Sequence, residues 1–311
     1  MVREGRRYAP AQQLRPFAFS EGAKEAALGL VLTLPPMIML VLLVVVPAVE
    51  ALLFSLGLVP KDNVVFSTGL HLVSSPTPTL KVYRDLFASH FFVDDLVLTF
   101  SVTFATVALT VVISYVLALY VRFSSGTLPE IMRSLYLIPM FVPVVIASYA
   151  LITFYVDHGL LQSLLVQVGL GYGSPIYAQS GVILGEVWTQ IPFAVLMIGS
   201  GLDGLPQELV EAAQDVGAGF FSIIWRIVFP LNLVPVLIVA TFSFIGVMGS
   251  FTVPYLIGPN APQMLGVAMN AYFGTYQQPQ PAVAIAVLTF VFASVAGAIY
   301  VWATSRSGRV A

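Results

Sequence analysis

There is no cysteine among the 311 residues, which excludes disulfides, thiolate metal sites and cysteine nucleophiles. Charge is nearly as scarce. Asp, Glu, Lys and Arg make up 9% of the chain, against about 25% in soluble domains, so a charged globular surface is excluded. The lysines are Lys24, Lys61 and Lys81, and none follows a G-x-x-x-x-G-K-[ST] loop, so the chain has no P-loop for ATP. The histidines, His71, His90 and His158, all fall between apolar runs. That leaves no base within a span for an intramembrane serine protease and no H-E-x-x-H cluster for a metal. Neither a catalytic residue nor a metal site is expected, and no nucleic-acid partner.

What is present is apolar. The chain is 58% hydrophobic, and its long runs suit lipid, where about 20 apolar residues cross the hydrocarbon core. The pattern predicts an all-α membrane protein with six spans at about 26–58, 96–121, 134–156, 180–202, 227–257 and 282–304. A polar leader, 1–25, precedes this transmembrane domain (26–304), and a tail, 305–311, follows it. The leader reads as part of the mature chain, because the first apolar run is too long for a signal h-region. A short amphipathic helix is predicted within Leu80 to Phe92, in the longest loop.

Positive charge sorts to one side. Arg3, Arg6, Arg7, Arg15, Lys24, Arg122, Arg133, Arg226, Arg306 and Arg309 fall in the leader, the second and fourth loops and the tail. Only Lys61, Lys81 and Arg84 fall in the others. The positive-inside rule therefore puts both termini and the fourth loop in the cytoplasm. Proline or central glycine interrupts most spans. Such breaks are tolerated where neighbouring helices or a water-filled cavity satisfy the freed backbone groups, which suits a moving bundle more than a static anchor.

The fourth loop, Leu205 to Leu231, is a polar island. Pro206 suits a helix start, and Glu208 suits the positive end of the helix dipole. Leu209, Ala212, Ala213 and Val216 recur at helical spacing as one predicted apolar stripe, with Glu208, Glu211 and Asp215 on another face. Gly217 and Gly219 are stop signals. Glu211-Ala212-Ala213, three residues, Gly217, nine residues, Ile227, one residue, Phe229 and Pro230 resemble the EAA loop of ABC importer permeases. Phe229 stands where that pattern usually has Leu.

The resemblance implies a permease subunit of an inner-membrane ABC importer, with a cytoplasmic coupling helix between spans 4 and 5. Glu208, Glu211, Ala212, Ala213, Asp215 and Gly217 would carry the coupling. It implies two copies of an ATPase subunit that bind ATP and Mg, so that no cofactor sits in this chain. It further implies a second permease chain, a periplasmic or lipid-anchored solute-binding protein, and lipid around the spans. Residues Phe244 to Phe273 resemble the polyamine (spermidine/putrescine) group, which points to a small cationic amine. Aminophosphonates and sugars are the alternatives within the same machinery, and an ion-coupled secondary transporter is the alternative outside it.

Glu186 is the one acidic residue well inside a span, where a carboxylate is costly unless it faces protein, water or a cation. Gln190 and Phe193 share its side of the helix, and Trp188 lies nearby. A carboxylate among aromatics suits an amine through charge pairing and cation–π contact. Phe251 and Tyr255 complete the expected solute path. The acidic outer-loop residues Asp85, Asp94, Asp95 and Asp157 fit the same solute, or are simply solvated.

Overall fold

The computed structural model describes residues 18–59 and 69–307. The leader up to Phe17 lies outside the described residues, as do Lys61 in the long loop and the last four residues of the tail. Among the described residues all regular structure is helical. The chain divides into two units, Met1–Ala51 and Leu52–Ala311.

The first unit is the body of span 1. Its helix begins at Ala18–Leu40, passes through a π turn at Val41–Val45 and continues as Val46–Ser55. The window long and apolar enough to cross a membrane is Leu28–Ser55. The π turn ends where the Val46 N–H reaches Val41 O, one residue before Pro47. A second π turn, Ile224–Val228, closes through the Phe229 N–H onto Ile224 O, again one residue before a proline, Pro230. Proline has no N–H for the preceding turn, and widening that turn by one residue re-registers the ladder ahead of the gap.

In the second unit the helix Lys81–Ala88 buries Val82 and Leu86, as the amphipathic pattern predicts. Span 2 is His90–Phe123, starting six residues earlier than expected. Span 3 departs most from expectation. The segment from Ser134 is no span: it is split between the helices Thr127–Leu135 and Ile138–Phe141, and the crossing helix begins only at Val144. Pro139 sits in the first turn of the short helix Ile138–Phe141, where a proline is tolerated, and Pro143 ends that helix by driving Val142 into the extended region, at φ −98° and ψ 120°. That crossing, Val144–Gln167, runs past the expected end through the helix Leu160–Gln167. Span 4 is Gln179–Asp203. Span 5 is two helices, Phe220–Leu231 and Leu233–Met248, bent by 68° at Asn232. It stops at Met248, and residues 252–257, expected to belong to it, form the separate helix Thr252–Ile257. Span 6 is Pro279–Ser305.

Span 4 is the centre of the second unit and packs on spans 2 and 5. Span 2 offers it small hydroxyl side chains. Thr99, Thr103, Thr106, Thr110 and Ser114 recur at helical spacing and are all fully buried. Without a hydrophobic drive between helices in lipid, close approach through small residues supplies the packing energy. Glycine does the same towards the helix Thr252–Ile257 and towards span 5. A Cβ on Gly185 would lie 2.7 Å from Val253 Cγ1, and one on Gly181 would lie 3.0 Å from Ile257 Cγ2. A Cβ on Gly201 would strike the Asn232 side chain and sit 2.5 Å from Pro235 Cγ. Asn232 is fully buried, and its Nδ2 donates to Ile198 O at 3.3 Å, so the bend of span 5 is tied to span 4. Polar side chains also close the end of the bundle where span 6 begins. Gln280 Nε2 donates to Phe54 O (2.9 Å) and Val73 O (3.0 Å), while its Oε1 accepts the Val73 N–H at 2.8 Å.

Gly201→Leu is expected to prevent a stable fold. Asn232→Leu should cost about 1–3 kcal/mol through the lost buried hydrogen bond and overpacking. Thermal unfolding in mild detergent checks both, and an unchanged transition for Gly201→Leu would refute the close packing of spans 4 and 5.

Candidate functional site

The helix Gln207–Asp215 follows span 4 with Pro206 at its N-cap. Glu208 lies in its first turn, where the helix dipole favours an anion. Gln207 Nε2 donates to Glu211 Oε1 at 2.7 Å, bracing one turn. The helix ends in a Schellman cap. The Ala218 N–H reaches Ala213 O at 3.0 Å, and the Gly217 N–H reaches Gln214 O at 2.8 Å. This cap needs Gly217 in the left-handed region, at φ +81°, with open space around it. Glycine is required here by backbone conformation, not by packing.

The predicted apolar stripe is not the buried one. Val210 and Ala213, with Leu205 before the helix and Ala218 after it, pack on the core formed by Ile198, Leu202, Ile223 and Val228. Leu209 and Ala212 are exposed, and Val216 is 84% exposed. Of the four stripe residues only Ala213 turns inward. The positions before and after the helix rotate it, because Leu205 and Ala218 must reach the core at either end. The outward face therefore carries Leu209, Ala212 and Val216 beside the exposed acids Glu208, Glu211 and Asp215.

Two arginines that the sequence reading used only for topology secure this end of the bundle. Arg122, in the last turn of span 2, donates through Nε to Leu202 O at 3.4 Å and lies 3.6 Å from Asp203. Arg133 Nη2 donates to Val121 O at 3.4 Å. The C-terminal carbonyls of spans 2 and 4 are thus held by cations, where both hydrogen bonding and the helix dipole favour them. The exposed Arg122–Asp203 pair adds at most about 1 kcal/mol. A cleft of about 240 Å3 separates these residues from Gln207, Val210, Glu211 and Gln214.

At the other end the expected solute path falls into two groups. Glu186, Gln190 and Phe193 share the face of span 4 that meets span 5, as their spacing predicts. Glu186 is 3% exposed, and its carboxylate accepts a hydrogen bond from Ser250 Oγ. Gln190 Oε1 accepts one from Ser243 Oγ at 3.4 Å, and the Phe193 ring lies 6.0 Å from that of Phe242. Trp188 is half-buried. Phe251 and Tyr255 form the second group, rings stacked 5.0 Å apart and 21° from parallel, 39% and 58% exposed. Asp95 is not a solvated loop acid: it is buried, and its Oδ1 accepts the Gln263 N–H at 2.7 Å. Beside it, Thr99 Oγ1 accepts the Leu265 N–H at 2.9 Å. Asp94 lies 3.8 Å from His90. Asp85 lines a small cleft of about 200 Å3 with His71, Tyr272 and Gln278. Among the described residues no group of acids and histidines is arranged to hold a metal ion.

Comparison with known proteins gives this geometry a context. The chain is 29% identical over 282 residues to the trehalose/maltose transport system permease protein MalF of Thermococcus litoralis, covering 86% of this chain and 90% of that one. It is 30% identical over 153 residues to the spermidine/putrescine transport system permease protein PotB of Escherichia coli, covering 47% and 55%. The fold resembles that of a chain in the crystal structure of a bacterial ABC transporter involved in the import of the acidic polysaccharide alginate. That match has a TM-score of 0.73 at 16% identity and covers 94% of this chain and 99% of that one. Residues 110–308, more than half of the chain, match the family described as binding-protein-dependent transport system inner membrane component. The chain belongs to that family, and is a multi-pass inner-membrane permease subunit of an ABC importer.

Proposed function

We propose that the helix Gln207–Asp215 is the docking element through which an ATPase subunit drives this permease. The observation that carries this reading is the exposed apolar set Leu209, Ala212 and Val216, framed by acids on a capped helix whose inner face is anchored in the core. An exposed apolar face on an otherwise polar helix marks a protein contact. ATP is bound and hydrolysed on the partner, since this chain carries no P-loop. The assembly comprises two ATPase subunits, a second permease chain and a binding protein that delivers solute to the outer face. Both termini and the docking helix lie in the cytoplasm, which the sorting of arginine and lysine supports.

For the solute, we favour the sugar class. Glu186 is buried and held by Ser250, and Asp95 is held by the Gln263 N–H, so neither offers an open carboxylate to an amine. The stacked, exposed Phe251 and Tyr255 offer a flat apolar face to a ring. The relative with the longest alignment given above handles trehalose and maltose. A cationic amine is the second reading, favoured by the spermidine/putrescine relatives over about half of the chain and by the affinity of aromatic faces for cations.

Purification of the tagged chain in mild detergent is expected to recover an ATPase subunit, and Leu209→Glu with Val216→Glu should abolish that recovery. Gly217→Val costs about 1–2 kcal/mol at its positive φ. It should leave the protein in the membrane while transport falls, and undiminished transport would refute the coupling role. Because the chain has no cysteine, a single Gln214→Cys is expected to react with an impermeant maleimide only from the cytoplasmic side. Labelling from outside would invert the topology. In proteoliposomes with the binding protein, trehalose or maltose should stimulate ATP hydrolysis. Stimulation by spermidine or putrescine instead would select the second reading.

A further inference from the structure

Span 4 is one continuous helix of 25 residues, about 37 Å long at 1.5 Å per residue. Its inner end is welded to the docking helix through Ile198, Leu202, Leu205, Val210 and Ala213. Its outer end carries no exposed aromatic platform of its own. The Phe251–Tyr255 pair sits on another segment, beyond the break where span 5 ends at Met248: Phe251 caps the helix Thr252–Ile257 and Tyr255 lies within it. The ladder of span 5 runs out with the Gly249 N–H on Ile245 O (3.3 Å) and the Ser250 N–H on Val247 O (3.1 Å), so beyond Ser250 the pair depends on contacts with neighbouring elements.

Those contacts run to span 4. Val253 and Ile257 sit over Gly185 and Gly181, with no room for a Cβ between them. The Tyr177 N–H, just ahead of span 4, donates to Ile257 O at 2.8 Å. At the break itself the polar tie is the Ser250 hydroxyl donating to the Glu186 carboxylate, with Glu186 buried and Ser250 partly exposed. Farther along span 4 further ties to span 5 run from Ser243 to Gln190 and from Asn232 to Ile198 O. A buried carboxylate that loses its hydrogen-bond donor is left unsatisfied, which is costly.

We propose that Glu186 is a positioning residue: through Ser250 it latches the Gly249–Phe251 break to span 4, so that the Phe251–Tyr255 platform follows the docking helix as one body. The acid acts as a hydrogen-bond acceptor inside the protein and does not meet the solute. The movement of a platform that handles solute rests on the importer reading, whereas the latch itself is a statement about this chain alone. Two measurements separate them.

The first measures geometry. Spin labels at Ser180→Cys, on span 4, and Asn260→Cys, beyond the short helix, are expected to give one narrow distance distribution in the purified full-length chain. Ser250→Ala and Glu186→Ala should broaden or split it, and Glu186→Gln, which keeps an acceptor, should preserve it. An unchanged distribution in Ser250→Ala and Glu186→Ala overturns the latch whatever the chain transports. The second uses the full complex in proteoliposomes and reads solute moved per ATP hydrolysed. Ser250→Ala and Glu186→Ala should lower that ratio about ten-fold, the effect of losing one buried hydrogen bond, with Glu186→Gln restoring it. If Glu186→Gln fails as badly as Glu186→Ala, the charge itself is needed and the positioning role is wrong. If the geometry responds but the wild-type complex moves no solute, the latch stands and the importer reading falls.

Discussion

A backbone group in hydrocarbon has no water to turn to, and each break in a spanning helix must be satisfied from within the protein. This chain breaks its spans repeatedly, and the breaks are met by neighbouring groups. Asn232 ties the 68° bend of span 5 to Ile198 O. Ser250 and Glu186 close the gap after Met248. Asp95 and Thr99 accept the N–H groups of Gln263 and Leu265 in the outer loop. Two π turns widen the ladder just ahead of Pro47 and Pro230. Asn232, Ser250, Glu186, Asp95 and Thr99 thus form their bonds at breaks and loops, apart from the other small hydroxyl residues of span 2, which let helices approach.

The same economy explains the division of labour along span 4. Its flank towards span 2 meets buried threonines and a serine, small enough for close approach. Its flank towards span 5 alternates glycines with Glu186 and Gln190, which bond across. Its C-terminal end is held by Arg122 at a carbonyl, and the helix Gln207–Asp215 continues the core from there through Leu205, Val210 and Ala213. A membrane helix with so many distinct neighbours is a frame on which other elements are mounted, and the two candidate functional surfaces are both mounted on it.

Much of this was legible beforehand, for physical reasons. Apolar length reports span 4 almost to the residue, because polar Gln179 and charged Asp203 mark its two ends. The EAA spacing located Gly217, whose positive φ makes glycine the only comfortable residue. Where the reading failed, the missing information was tertiary. Leu209, Ala212 and Val216 satisfy a helical period as well as Val210 and Ala213 do. Only the directions in which the chain enters and leaves the helix decide which set is buried. Span 3 begins later than its apolar run: Ile138 and Phe141 are as apolar as a span should be, but Pro143, which marks a kink in the sequence, in fact separates a short helix from the crossing one. Asp95 looked solvated because its partner, the Gln263 N–H, is 168 positions away.

That separation bears on how the chain is built at the ribosome. Gln280 bonds both backbone groups of Val73, and Phe54 O beside the Gly57 N–H, from more than 200 residues downstream. Asp95 and Thr99 wait likewise for Gln263 and Leu265. The segments on the outer face made first therefore cannot settle until those made last have crossed the membrane. Spans 1 and 2 are inserted with this face unfinished, and the arrival of span 6 closes it. A nascent chain stopped short of Gln280 would leave both backbone groups of Val73 without this partner, a difference between an unfinished permease and a finished one.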